Sequence, residues 1–168
     1  ERWSFSSGPG CYQDVVFRPD GRVLASHVTS SGGDKNTLEI LDPQTGEAEV
    51  FDMKFSVWSL AYAEDGTLAY AGDSKWIWVG QEGEGAKRFA FTRKLAQTQV
   101  TRLEFQGGGL YATTQGGAFT RWDLGDDTES TLIEGGASIW ALACHGDRAF
   151  AAGKSGAVTV AQDGALVP

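Results

Sequence analysis

Four times along the chain an apolar strand enters a tight turn and is followed by a second and a third strand. The turns read Arg18-Pro19-Asp20-Gly21, Ala63-Glu64-Asp65-Gly66, Gln106-Gly107-Gly108-Gly109 and Cys144-His145-Gly146-Asp147. Successive turn glycines Gly21, Gly66, Gly108 and Gly146 lie 45, 42 and 38 residues apart. A period of about 40–45 residues, with three or four short strands in each unit, is the sequence signature of β-propeller blades, small sheets that bury their faces by stacking on one another. The expected fold is all-β, a β-propeller of about four visible blades with three to four antiparallel strands each. The chain is read as one domain, 1–168, with repeat units of about 1–46, 47–85, 86–128 and 129–168.

The first strands align as Tyr12–Phe17, Val57–Tyr62, Val100–Phe105 and Ile139–Cys144. Large apolar residues recur at the first, fourth and sixth positions. Side chains alternate across a strand, so the fourth and sixth share a face while the first falls on the other. A bulge where the strand begins would return the first position to the interior. The second strands are rich in small residues, as in Ala69-Tyr70-Ala71 and Ala149-Phe150-Ala151-Ala152, which suits close packing of neighbouring sheets. Further turns are expected at Ser31–Asp34, Gly72–Lys75, Gln115–Gly117 and Lys154–Gly156. Third strands are expected at Leu38–Asp42, Trp76–Gly80, Phe119–Asp123 and Val158–Gln162, and outer strands at Glu47–Val50, Lys87–Phe91, Glu129–Ile133 and Ala165–Val167. Arg2–Phe5 reads as the outer strand of a blade whose inner strands are missing or supplied by the far end of the chain. The chain begins Glu1-Arg2-Trp3 without an initiator Met or a signal peptide, which points to a fragment or a processed form.

These units resemble the WD-repeat family. The resemblance rests on Phe17-Arg18-Pro19-Asp20-Gly21, Leu41-Asp42-Pro43-Gln44-Thr45-Gly46, Val57–Tyr62 and Arg121-Trp122-Asp123, and it covers nearly the whole chain. The repeats are divergent: the family's Gly-His dipeptide is missing, the second-turn Asp occurs only at Asp34 and Asp73, and Trp-Asp is complete once. Rings of about seven blades would need roughly 300 residues, so an incomplete propeller is favoured over a closed four-bladed ring. Open edge strands would then be paired by further sequence or by another chain.

The charge of −8 disfavours direct nucleic-acid binding and suits a basic partner surface or plain solubility. No apolar run reaches the roughly 18 residues of a membrane helix. Two distant cysteines, Cys11 and Cys144, and a single Asn36 outside any glycosylation sequon lean toward an intracellular location, cytoplasmic or nuclear. Gly153-Lys154-Ser155 lacks the upstream glycine of a phosphate loop, Arg148 standing in its place, and precedes a strand. His27 and His145 have no metal-ligand spacing and read as surface or turn residues. There is no Gly-x-Ser-x-Gly elbow, and the carboxylates gather in turns. No catalytic, cofactor or metal residue is assigned.

What the resemblance implies is a non-catalytic scaffold for protein–protein interaction, a propeller subunit of a larger complex whose partners are other subunits or peptides. Candidate contact residues at the channel mouth are Gln13, Trp58, Thr101, Arg102 and Trp140, with Met53-Lys54-Phe55 and Arg93-Lys94 in the preceding loops. The competing reading of the tryptophans is packing between blades. Two other readings stay open: a propeller enzyme of lactonase-like or quinoprotein-like type, and a structural subunit associating through its open blade edges.

Overall fold

In the computed structural model, residues 10–29, 36–83, 92–96 and 98–167 are described. They form four four-stranded sheets, each an up-and-down meander in chain order. Blade 1 holds β1 (Cys11–Phe17), β2 (Val23–Val28), β3 (Asn36–Leu41) and β4 (Ala48–Met53). Blade 2 holds β5 (Val57–Tyr62), β6 (Thr67–Gly72), β7 (Trp76–Gln81) and β8 (Thr92–Leu95). Blade 3 holds β9 (Val100–Gln106), β10 (Gly109–Thr114), β11 (Phe119–Asp123) and β12 (Thr128–Ile133). Blade 4 holds β13 (Ile139–His145), β14 (Arg148–Gly153), β15 (Val158–Gln162) and β16 (Ala165–Val167).

Third strands fall where the sequence places them, and β4, β12 and β16 take the expected outer positions. Blade 2 closes on Thr92–Leu95, while Lys87–Phe91, Arg2–Phe5 and Ser31–Asp34 lie outside the described residues. The turns after β1 and β5 are locked locally. Gly21 N–H donates to the Arg18 carbonyl and Gly66 N–H to the Ala63 carbonyl, both at 3.0 Å. Positive φ values of 83° and 84° make glycine the natural residue at these two places.

Every inner strand carries a register shift at the same point. Tyr12 pairs with His27 but Asp14 with Ser26, so Gln13 is the extra residue. Trp58, Thr101 and Trp140 are the extra residues of the other three blades. The bulge answers the question left by side-chain alternation: Val57, Val100 and Ile139 turn inward and are 1%, 0% and 7% exposed.

One apolar cluster fills each junction. Leu24, Leu38 and Ile40 meet Leu60, Leu68 and Tyr70 between blades 1 and 2. Between blades 2 and 3, Ala61, Ala69, Ala71, Ile77 and Val79 present small and β-branched side chains to Leu103, Leu110 and Trp122. Tyr111 and Phe119 of blade 3 lie on Ala149, Ala151 and Ala161 of blade 4. Each large side chain sealed in this way contributes about 1.5–3 kcal/mol. β1 packs on β5, β5 on β9 and β9 on β13; no comparable packing joins β13 to β1 among the described residues. Among the described residues the blades form an arc; its blade 4 end leaves Ala141, Ala143 and Val158 exposed, while at its blade 1 end β1 is exposed and Ala25, Glu39 and Leu41 of β2 and β3 are buried. Val15 and Phe17, at the fourth and sixth positions that are interior in the middle blades, are therefore 61% and 78% exposed.

His27 corrects the sequence reading. It lies mid-sheet in β2 at 4% exposure rather than on the surface or in a turn. Its ring sits 5.1 Å from that of Tyr12, whose hydroxyl donates to Glu39 at 2.7 Å. His145 does end exposed, at the close of β13.

Candidate interaction face

The bulges sit at one end of the inner strands, together with the loops that precede them and the turns after the second strands. A repeated bond joins these two sets of loops. The first residue after β6, β10 and β14 donates its N–H back to the carbonyl just before the inner strand: Asp73 to Ser56 at 3.1 Å, Gln115 to Gln99 at 2.9 Å, Lys154 to Ser138 at 2.9 Å. The chains come so close that a Cβ on Gly72 or Gly153 would run into the Ser56 or Ser138 carbonyl oxygen. Asp73, the second-turn aspartate, adds a bond of its own, its Oδ1 accepting from Ser56 N–H at 3.2 Å. This end of the arc is a braced surface.

The five sequence-predicted residues occupy it in different ways. Gln13 is exposed, and its amide donates to Cys11 Sγ at 2.9 Å. Trp58 is half-buried, whereas Trp140 is 43% exposed. The Arg102 guanidinium donates from Nη1 to the Thr101 carbonyl at 3.0 Å and to the Trp58 carbonyl at 3.3 Å, which ties blade 3 to blade 2. Thr101 is 2% exposed, and its hydroxyl is engaged inside, 2.5 Å from the Ile139 carbonyl and 3.0 Å from Thr113 Oγ1. Of the flanking residues, Phe55 stacks on Trp78 at 4.4 Å between ring centroids, and Trp78 on Tyr70 at 5.5 Å. Met53 ends β4, and Arg93-Lys94 form part of β8 rather than a loop.

Sequence reasoning missed what the third position of the inner strand does. Asp14 Oδ2 accepts from Leu60 N–H in the next blade at 2.8 Å, and Ser59 Oγ accepts from Leu103 N–H in the blade after at 3.0 Å. Each side chain satisfies an amide of its neighbour and sets the step between blades. The signal was present in the alignment, where Asp14, Ser59 and Arg102 put polar groups at one position of three consecutive units.

Among the described residues, no three of His, Cys, Asp or Glu stand close enough to hold a metal ion. Burial, with the charge of Glu104 added, pushes the Cys144 thiol up to about 12, so it stays protonated. Gly153-Lys154-Ser155 sits at the β14–β15 turn, with strands on both sides. No helix among the described residues is long and apolar enough to cross a membrane.

No family profile matches the chain, and no curated protein matches its sequence. Solved structures match its fold. U3-55K superposes with a TM-score of 0.74 at 17% identity, over 96% of this chain and 52% of that one. The RRP9 WD40 repeats give 0.71 at 18% identity over 92% and 49% of the two chains, and the WD40 β-propeller domain of Doa1 gives 0.71 at 17% over 95% and 54%. The fold is that of a partial WD40 β-propeller. The chain spans about half the length of these three structures. The computationally designed Ika4 protein matches over 95% of both chains, with a TM-score of 0.71 at 15% identity. In this WD40 arc Gln13, Trp58, Thr101 and Trp140 hold the equivalent bulged position of the four blades, with Thr101 buried.

Proposed function

We propose that this WD40 arc is a non-catalytic scaffold that binds a protein or peptide across the bulged end of its inner strands. The observation that carries the reading is the exposure of Trp140 and Gln13 beside half-buried Trp58, on a surface whose loops are hydrogen-bonded in place. Aromatic and Arg side chains anchor interfaces because they bury much area at small conformational cost. Trp58, Trp140, Gln13 and Arg102 serve as contacts, and Thr101 holds the bulge that presents them. The net charge of −8 favours a basic segment as partner. The WD40 structures that match in fold include U3-55K and Doa1, and a role in a protein assembly, inside the cell, is the reading extended from them.

The test compares wild-type protein with Trp58→Ala/Trp140→Ala in quantitative affinity capture from native extract. Proteins held by the wild type are lost from the double variant while its circular dichroism is unchanged. A Glu64→Ala control at the opposite end of the blades retains them. Equal capture by the double variant overturns the reading. Global unfolding of the double variant would assign the tryptophans to inter-blade packing instead.

A further inference from the structure

At the end opposite the bulges, the three blade junctions are not closed alike. The residue after the aromatic sixth position of the inner strand is Arg18 in blade 1, Ala63 in blade 2 and Gln106 in blade 3. Arg18 crosses to blade 2, its Nη2 lying 3.2 Å from Glu82 Oε2, and the Tyr62 hydroxyl donates to the same carboxylate. Gln106 crosses to blade 4, its amide donating to the Gly146 carbonyl. Ala63 is too short to cross to blade 3. The residue that stands there in the place of Glu82 is Leu124, as the register of the third strands fixes. The blade 2–blade 3 junction, sealed deeper down, therefore lacks a side-chain bridge at this rim.

A cleft of about 540 Å³ opens there, within the roughly 300–1,000 Å³ of ordinary ligand pockets. Its floor is Tyr62, Phe105 and Leu124, all half-buried, and the last two rest on the sealed cluster below. One wall is the turn Gly107-Gly108, where a Cβ on either residue would meet no atom within 4 Å, so this side is bare backbone. The other wall holds Glu64 and Asp65, both exposed. Thr67 N–H donates to Asp65 Oδ1 at 2.8 Å and holds that carboxyl below its ordinary range, so it is ionised at neutral pH. Among the described residues no Lys, Arg or His lines the cleft. The lining thus joins an apolar floor to a negative rim that carries no cation of its own.

We infer that this cleft is a docking site for a short extended segment of a partner protein, an apolar side chain with Lys or Arg on either side of it. The floor takes the apolar side chain out of water. Glu64 and Asp65 favour the flanking cations and repel an acidic segment. The bare glycine wall lets a peptide backbone come close without meeting a side chain. The cleft lies at the far end of the inner strands from Trp58 and Trp140, so this inference does not depend on the reading of the bulged face.

Amide chemical shifts of the isotope-labelled full chain, titrated with the capped pentapeptide Gly-Lys-Leu-Lys-Gly, test this. Saturable shifts are expected at Ala63–Thr67, Gln106–Gly109 and Leu124. Replacing both Lys by Glu, or Leu by Gly, in the peptide weakens binding by about 10-fold or more. Ala63→Arg/Leu124→Glu builds a copy of the Arg18–Glu82 pair into the cleft and is expected to abolish the response with circular dichroism unchanged. Glu64→Gln/Asp65→Asn keeps the size of both side chains and the acceptor for Thr67 N–H, and weakens binding by about 5-fold, an effect that salt reproduces in the wild type. Trp58→Ala/Trp140→Ala leaves the titration as it is in the wild type. Shifts scattered over the surface, an equal response to the Glu peptide, or undiminished binding by both cleft variants would overturn the inference. Concentration-dependent shifts at the same amides without peptide would assign the cleft to a second copy of the chain and overturn it as well.

Discussion

Blade 2 and blade 4 carry Ile77 and Val158, two β-branched residues, at the same place on the same side of the same kind of sheet, yet one is sealed and the other is open. Ile77 and Val158 are equivalent, and their exposures are 0% and 66%. Nothing in either strand accounts for the difference. What covers Ile77 is blade 3, with Leu103, Leu110 and Trp122. In a stacked-blade fold, burial is a property of the junction, and a strand carries only the capacity to be buried.

That comparison can be broken from several directions. The largest effect is expected at the sealed junction, where Leu110→Ala opens a cavity beneath a side chain of 0% exposure and costs about 3–5 kcal/mol in urea unfolding. A loss below about 1 kcal/mol would mean that the blade 2–blade 3 cluster is not a tightly packed core. Gly72→Ala comes next. Its Cβ meets backbone rather than a flexible side chain, so about 2–3 kcal/mol is expected, read from the denaturation midpoint. Gly153→Ala, with the same clash at the end of the arc, is expected to lower the midpoint less, because blade 4 has one covered face instead of two.

Ser59→Ala tests the step between blades more gently. It removes the acceptor of Leu103 N–H and costs about 1 kcal/mol, whereas Ala141→Ser at the open end returns almost nothing. Glu104 gives a pH signature for the blade 3–blade 4 side. Burial raises its carboxyl above the ordinary range, against a hydrogen bond from the Cys144 backbone. A folded pKa above the unfolded one means that its favourable contribution is complete below the unfolded pKa and is lost as pH rises through the folded pKa. Thermal melts from acid to neutral pH should show that loss in the wild type and a flatter profile in Glu104→Gln, and identical profiles would remove Glu104 from the account. Val158→Ala is expected within about 0.5 kcal/mol of wild type in urea unfolding, against about 2–5 kcal/mol for Ile77→Ala.

Much of this architecture is legible in the sequence, and particular residues show why. The turn glycines, the strand lengths and the Trp122-Asp123 strand end are local features, enforced by backbone sterics and by alternation over a few residues. They placed the inner and third strands correctly in every blade. The candidate face was legible as positions, since Gln13, Trp58, Thr101 and Trp140 all fall at the bulge. Their states were not: Thr101 is drawn inside by the Ile139 carbonyl, 38 residues away in sequence, while Trp140 in the same position stands open.

From the sequence alone came the all-β character, the blade period, the alignment of equivalent positions and the small-residue second strands. Each depends on interactions spanning a hairpin or less, which the order of residue types encodes directly. Tertiary structure decided that first-position residues enter the core through a bulge, that His27 is buried, that Asp14 and Ser59 bond to the next blade, and that Val158 on the outer side of blade 4 stays exposed. These depend on which sheet lies against which, and two residues about 45 positions apart carry no local record of whether a neighbour will be there to meet them.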